Sequence, residues 1–203
     1  MRINLLFVRH GMTKGNEEGR YIGGRTDEPL SEIGKSKLFE RVKTYKNLVK
    51  DDDFALFSSP MLRCLGTCSV LFPDKEIIQV PDLKEIDFGL FENHNYYELN
   101  GREDYQKWID SGGKSDYPEG ERLSDFIKRN LLGFNQVLNI IEKSNTNSDA
   151  NGVIVCHGGT IMAIMSQITG KEYFDFQLKN GEGYLLTVEK EDEQVNVLSY
   201  CRV

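Results

Sequence analysis

The stretch Asn4-Leu5-Leu6-Phe7-Val8-Arg9-His10-Gly11-Met12-Thr13-Lys14-Gly15-Asn16 decides how the rest of the chain is read. A short continuous apolar run is the pattern of a buried strand, and this one stops at an arginine and a histidine followed by glycine. An Arg-His pair is costly to bury unless an anion meets it. In an open α/β sheet, the crevice beyond the carboxyl ends of the strands is where such a ligand sits. Gly11 and Gly15 allow a tight turn that brings backbone N–H groups close to an anion. On these residues alone, a satisfied core histidine beside a surface arginine is an equally good reading.

Far along the chain the same arrangement recurs. Val153-Ile154-Val155-Cys156 has the pattern of a buried strand, ends in His157, and is followed by Gly158-Gly159-Thr160 and an apolar helix over 161–168. Between the two, the glycine-rich cationic stretch 19–27 has the composition of a loop, and Ser31 caps a helix carrying Leu38, Val42, Tyr45 and Val49 at helical spacing. The acidic run 51–53 is expected as a solvated turn. Phe54 to Phe57 is expected as a strand, after which Ser58-Ser59-Pro60 opens a helix with serine as cap and proline in the first turn. Arg63 then falls in that first turn, where a cation opposes the helix dipole; an anionic ligand would account for it.

Glu76 to Val80 is expected as a third strand, 97–109 as a helix, and 111–120 as a polar loop. The clearest helix is 121–143, where Leu123, Phe126, Ile127, Leu131, Phe134, Leu138 and Ile141 trace one face. A polar tract over 144–151 joins it to the second strand-histidine unit. Two closing strands, 184–188 and 195–200, flank the acidic run 189–193, expected as their turn. No linker is long enough to split the chain, so one domain over 1–203 is expected.

Composition narrows the function classes. The 203 residues, of 39% hydrophobic and 28% charged composition, suit a globular chain with a sizeable core. A net charge of -7 argues against a nucleic-acid partner but leaves room for a local basic pocket that takes a small phosphate. Cys64, Cys68, Cys156 and Cys201 form neither a disulfide framework nor close zinc-type pairs, and they are expected as small buried hydrophobes. No stretch approaches the length of a membrane span, and the N-terminal run lacks a cleavage pattern, so a cytoplasmic location is expected.

Taken together, the blocks Arg9-His10-Gly11-x-Thr13-x-x-Asn16, Thr26-Asp27-x-Pro29-Leu30-Ser31-x-x-Gly34, Ser58-Ser59-Pro60-x-x-Arg63, Leu83-x-Glu85-Ile86-x-Phe88-Gly89 and His157-Gly158-Gly159 resemble, in order and over nearly the whole chain, the phosphoglycerate-mutase-like histidine phosphatase superfamily. The resemblance implies a three-layer α/β/α sandwich with a mostly parallel central sheet. It implies His10 as nucleophile and Glu85 as general acid, with Asp87 and Glu92 as rival acids and a structural salt bridge as the alternative role for Glu85. It places Arg9, Asn16, Gly23, Arg63, His157 and Gly158 around the phosphate, without metal or cofactor. The expected activity is hydrolysis of a small phosphomonoester, for example α-ribazole phosphate or a sugar-acid phosphate. A mutase and a non-catalytic phospho-ligand binder are the alternatives. Met12, Phe91-Glu92-Asn93 and Pro118-Glu119-Gly120-Glu121-Arg122 depart from the family pattern, so the leaving group, and any part His94 or Arg122 plays in holding it, stays open.

Overall fold

The computed structural model describes residues 1–49, 53–144, 149–192 and 194–203. The strands are β1 (Arg2–Arg9), β2 (Ala55–Ser58), β3 (Ile77–Gln79), β4 (Asp149–Cys156), β5 (Gly183–Glu191) and β6 (Gln194–Arg202). The helices are α1 (Lys14–Glu17), α2 (Glu32–Leu48), α3 (Leu62–Leu71), α4 (Tyr96–Leu99), α5 (Glu103–Asp110), α6 (Leu123–Ser144) and α7 (Gly158–Thr169). The sheet order is β3-β2-β4-β1-β5-β6. The pairs β3–β2, β2–β4 and β4–β1 are parallel, while β1–β5 and β5–β6 are antiparallel.

Alternation along β1 distributes its apolar residues to both faces. Ile3, Leu5 and Phe7 pack with Phe134, Val137, Leu138 and Ile141 of α6 and with Ile161 and Ile164 of α7. Leu6 and Val8 pack on the other face with Leu38 and Tyr45 of α2 and with Cys64, Cys68 and Leu71 of α3. A strand covered on both sides reads as an unbroken apolar run, which is why this one does. Phe134 is fully buried, so truncating it to alanine would cost about 3–5 kcal/mol.

Local expectations needed several corrections. The helix expected over 97–109 is two helices, because Gly101 turns the chain between α4 and α5 at a φ of 85°. The helix after Pro60 begins at Leu62, and neither serine caps it; Asp27, from the glycine-rich loop, accepts the Leu62 N–H at 2.7 Å. Glu189 to Glu191 continue β5 instead of turning, with Lys190 buried and its Nζ 2.6 Å from Glu142 Oε2. The expected third strand is trimmed to three residues. Residues 51–52, 145–148 and 193, which carry parts of the expected turns and linker, lie outside the described residues.

Candidate active site

Register assembles the site. Arg9 pairs with Cys156 across the parallel β1–β4 ladder, so the next residue of each strand, His10 and His157, emerges at the same rim. Their ring centroids are 5.2 Å apart. His10 Nδ1 lies 2.7 Å from the Gly11 carbonyl. A carbonyl only accepts, so Nδ1 carries the hydrogen and Nε2 keeps its lone pair. Burial, reinforced by the nearby Arg63 and Arg9 guanidinium groups, holds the His10 pKa well below the usual histidine range. The imidazole is therefore neutral and basic at one known nitrogen.

Arg63 is fully buried in the first turn of α3. Its Nη atoms donate to the carbonyls of Thr26 at 2.8 Å and Gly23 at 3.0 Å, and its Nε donates to His157 Nδ1 at 3.3 Å. A guanidinium has five N–H groups, so one on each terminal nitrogen is left for a ligand. Because His157 Nδ1 accepts, its Nε2 carries the hydrogen and donates to Ser59 Oγ at 2.8 Å. Burial and the charge of Arg63 lower the His157 pKa as well. Arg9 lies against Gly158, whose Cβ position falls 3.3 Å from the guanidinium carbon. One Arg9 Nη donates to the Leu178 carbonyl, while Arg9 Nε is buried with no partner among the described residues. A buried orphan donor on a cation fits an anion that is yet to arrive.

Glu85 is held from two helices. Arg129 of α6 donates to the carbonyls of Asp82 at 2.8 Å and Lys84 at 3.0 Å, and Thr160 of α7 donates to that of Leu83 at 3.2 Å. The carboxylate accepts the N–H of Ile86 at 3.0 Å and of Gly159 at 3.1 Å. A Cβ on Gly159 would stand 2.3 Å from Glu85 Oε1, so this approach requires glycine. Burial raises the Glu85 pKa despite both amides and the two arginines. Among the described residues Glu85 has no ion pair at bonding distance.

The rival carboxylates are occupied. Glu92 Oε1 accepts the N–H groups of Gly23, Arg25 and Thr26 at 2.8–3.1 Å, and its Oε2 accepts that of Phe88 at 3.1 Å. Asp87 accepts from Gly89 N–H and from Arg25 Nε, both at 2.8 Å. These acids build the glycine-rich loop. This also corrects the place of Gly23: its N–H is spent on Glu92, and its contribution to the site is the carbonyl that holds Arg63. Asn16 gives its carbonyl oxygen to Thr13 N–H and Asn180 Nδ2, leaving its own amide N–H groups available.

Ser59, Thr67, Asn180, Arg129 and Thr160 had no individual signal in the sequence beyond the block that contains Ser59. Thr67 Oγ1 accepts the Gly11 N–H at 2.9 Å and donates to the Arg63 carbonyl at 2.7 Å, tying the two cationic segments together. His94 and Arg122 are exposed and stand outside the cavity beside the site. Cys64, Cys68 and Cys156 are buried, with burial pushing the Cys68 thiol up to about 12, whereas Cys201, also expected as buried, is exposed on the edge strand β6. Among the described residues no cluster of three metal-ligating side chains occurs, and no helix is long and apolar enough to cross a membrane.

Beside Arg9, Glu85, Gly158 and Gly159 opens a cavity of about 380 Å³. Comparison with known proteins places this arrangement. Residues 5–200 match the family model described as histidine phosphatase superfamily (branch 1). Phosphoserine phosphatase 1 of Hydrogenobacter thermophilus is 27% identical over 202 residues, covering 97% of this chain and 90% of that protein. A 2,3-bisphosphoglycerate-dependent phosphoglycerate mutase of Gloeobacter violaceus is 29% identical over 174 residues, covering 81% of this chain and 74% of its own. The crystal structure of phosphoserine phosphatase from Entamoeba histolytica in complex with 3-phosphoglyceric acid superposes with a TM-score of 0.73 at 27% identity, over 98% of this chain and 96% of that one. With a buried neutral histidine between two arginines at the strand ends and a family match from residue 5 to residue 200, the chain belongs to the histidine phosphatase superfamily and is a phosphatase enzyme.

Proposed function

We infer that the chain hydrolyses a small phosphomonoester through a phosphohistidine formed on His10. The observation that carries this reading is the protonation pattern: a buried His10 with a free Nε2 lone pair shares its site with a buried Glu85 whose pKa is raised. Nucleophile and acid are each biased toward the form the first step needs.

In that step His10 Nε2 attacks phosphorus, the P–O bond to the leaving group breaks, and the departing oxygen takes the Glu85 proton. In the second, Glu85, now a carboxylate, takes a proton from water as its oxygen attacks phosphorus. The P–N bond breaks, the electron pair returns to Nε2, and phosphate leaves. Arg9 and Arg63 offset the charge of the transferring group and the Asn16 amide and Gly158 N–H donate to it, the work magnesium does in other phosphoryl-transfer sites; His157 joins them by turning its Nε2–H from Ser59 Oγ to the phosphate. Turnover should accordingly survive a chelator; a loss in EDTA that a divalent ion restores would overturn the metal-independent reading.

Phosphoglycerate mutation is the second reading, favoured by the mutase among the relatives. It needs a second acceptor to reach the phosphoenzyme before water does. The segment between Glu85 and α6 builds a three-residue 3-10 turn, a four-residue helix and an eight-residue helix, a modest cover for excluding water. The test supplies 3-phosphoglycerate and simple alkyl phosphates without a bisphosphorylated primer. Steady phosphate release is expected, whereas rapid 2-/3-phosphoglycerate exchange with little free phosphate would establish the mutase.

A further inference from the structure

The cavity beside the catalytic groups is walled by Tyr21, Phe88, Trp108, Tyr117, Tyr173 and Phe174. The rings lock one another edge to face: Phe88 and Tyr117 have centroids 5.0 Å apart at 71°, and Tyr173 and Phe174 5.1 Å apart at 89°. Apart from Arg9 and Glu85, which the phosphoryl chemistry uses, the lining carries no acidic or basic side chain other than its tyrosines, and its remaining polar groups are the neutral Gln177 amide and the Trp108 indole N–H. The tyrosines add no charge, because burial raises the pKa of Tyr21, Tyr117 and Tyr173 above their usual value. Two of the hydroxyls are engaged: Tyr21 with Tyr105 at 3.0 Å, and Tyr173 with the Gly159 carbonyl at 3.3 Å.

We propose that this cavity is the leaving-group subsite and that it selects phosphate esters of flat, apolar alcohols, aromatic ones above all, over esters of amino acids or sugar acids. The proposal rests on the phosphatase reading above for the position of the phosphate. A serine or glyceric-acid leaving group brings a carboxylate, and serine an ammonium too, into a space that offers neither a counterion. Burying an unpaired charge is strongly unfavourable. A phenyl group instead gains apolar burial and edge-to-face contacts with rings already held in place. A volume of about 380 Å³ is in the range of small-ligand pockets. Trp108 adds one directional feature: its Nε1 is buried with no partner among the described residues, so an uncharged acceptor on the ring system would satisfy it.

The test separates binding from turnover. Calorimetry on the intact protein compares 3-phenylpropylphosphonate, propylphosphonate and 2-amino-4-phosphonobutyrate, the phosphonate counterpart of phosphoserine. The phenylpropyl compound should bind about 10- to 100-fold more tightly than either of the others. Phe174, at the rim and 40% exposed, can be changed with little risk to the fold. Phe174→Ala should narrow the phenylpropyl-to-propyl ratio about 5-fold, and Phe174→Tyr should restore it. Equal or tighter binding of the amino-acid phosphonate, or a ratio that Phe174→Ala leaves untouched, would overturn the proposal. Phosphate release from the matching esters is measured in parallel. If no ester is turned over while the binding order holds, the hydrolytic reading falls and the subsite assignment stands.

Discussion

Arg9, His10, Arg63 and His157 lie at the ends of β1 and β4 and the start of α3, where strand register and backbone carbonyls position them. The aromatic wall beside them is contributed mainly by residues 86–123 and 173–178, where no strand runs, and it is held by ring-on-ring packing. The cationic floor depends on long-range strand register. The wall depends on ring packing, with the Tyr21 and Tyr173 hydroxyls also engaged. The contrast separates two functions that one site must combine: phosphoryl transfer belongs to the floor, and choice of leaving group belongs to the wall.

The largest expected effect tests that separation from the floor. His10→Ala should reduce turnover of every ester by more than about 10,000-fold, and an acid-labile phosphoenzyme seen in the parent should vanish. A loss that varied with the leaving group would break the division. Next is Glu85→Gln, placed where floor meets wall. An alkoxide needs a proton to depart and a phenolate much less, so alkyl phosphates should lose about 100- to 10,000-fold and aryl phosphates far less. Equal losses would make Glu85 a group that only orients the site.

Glu92 sharpens the comparison by contrast with Glu85. Four backbone N–H groups converge on it, so Glu92→Ala should destabilise the fold by about 1–3 kcal/mol in urea unfolding. It should leave the alkyl-to-aryl ratio of rates unchanged; a selective loss on alkyl esters would identify it as the proton donor. The smallest effect is a slope. Both histidines titrate below their usual value in the folded state, so the unfolded chain binds protons first as pH falls below about 6.5. Their contribution to stability is intact above that pH and declines toward the folded-state values, by up to about 1.4 kcal/mol per pH unit for each histidine. Glu85, with a raised pKa, acts in the opposite sense: its contribution is full in acid and is lost as pH rises through its folded-state value. His10→Asn should flatten the decline between pH 6.5 and 5, and an unchanged slope would mean that His10 is charged when folded.

The strand ends were legible because a doubly covered strand leaves an apolar run, and a polar Arg-His-Gly stop stands out against it. The break at Gly101 was hidden, since a glycine among helix-forming residues can be tolerated or can turn the chain, and tertiary packing decides which. The cap of α3 is not legible locally, because its Leu62 N–H is accepted by Asp27, distant in sequence, while Ser58 bonds the Ser59 carbonyl. The extension of β5 through Glu189–Glu191 leaves no apolar signal, because hairpin pairing tolerates outward-facing acids. Glu85 could be told from Glu92 only in three dimensions: both lie among apolar neighbours, and what differs is how many amides the fold aims at each.

The position of β1 at the middle of the sheet has a consequence for biosynthesis. Its neighbours on both sides, β4 and β5, are made from residues 149–191, so β1 leaves the ribosome well before either of its partners. Until then Leu5-Leu6-Phe7-Val8 is an apolar, strand-forming segment with unpaired edges, the kind that associates with its like. The sequence separation that lets two distant histidines share one rim thus also leaves this segment without its sheet neighbours until residues 149–191 have been made.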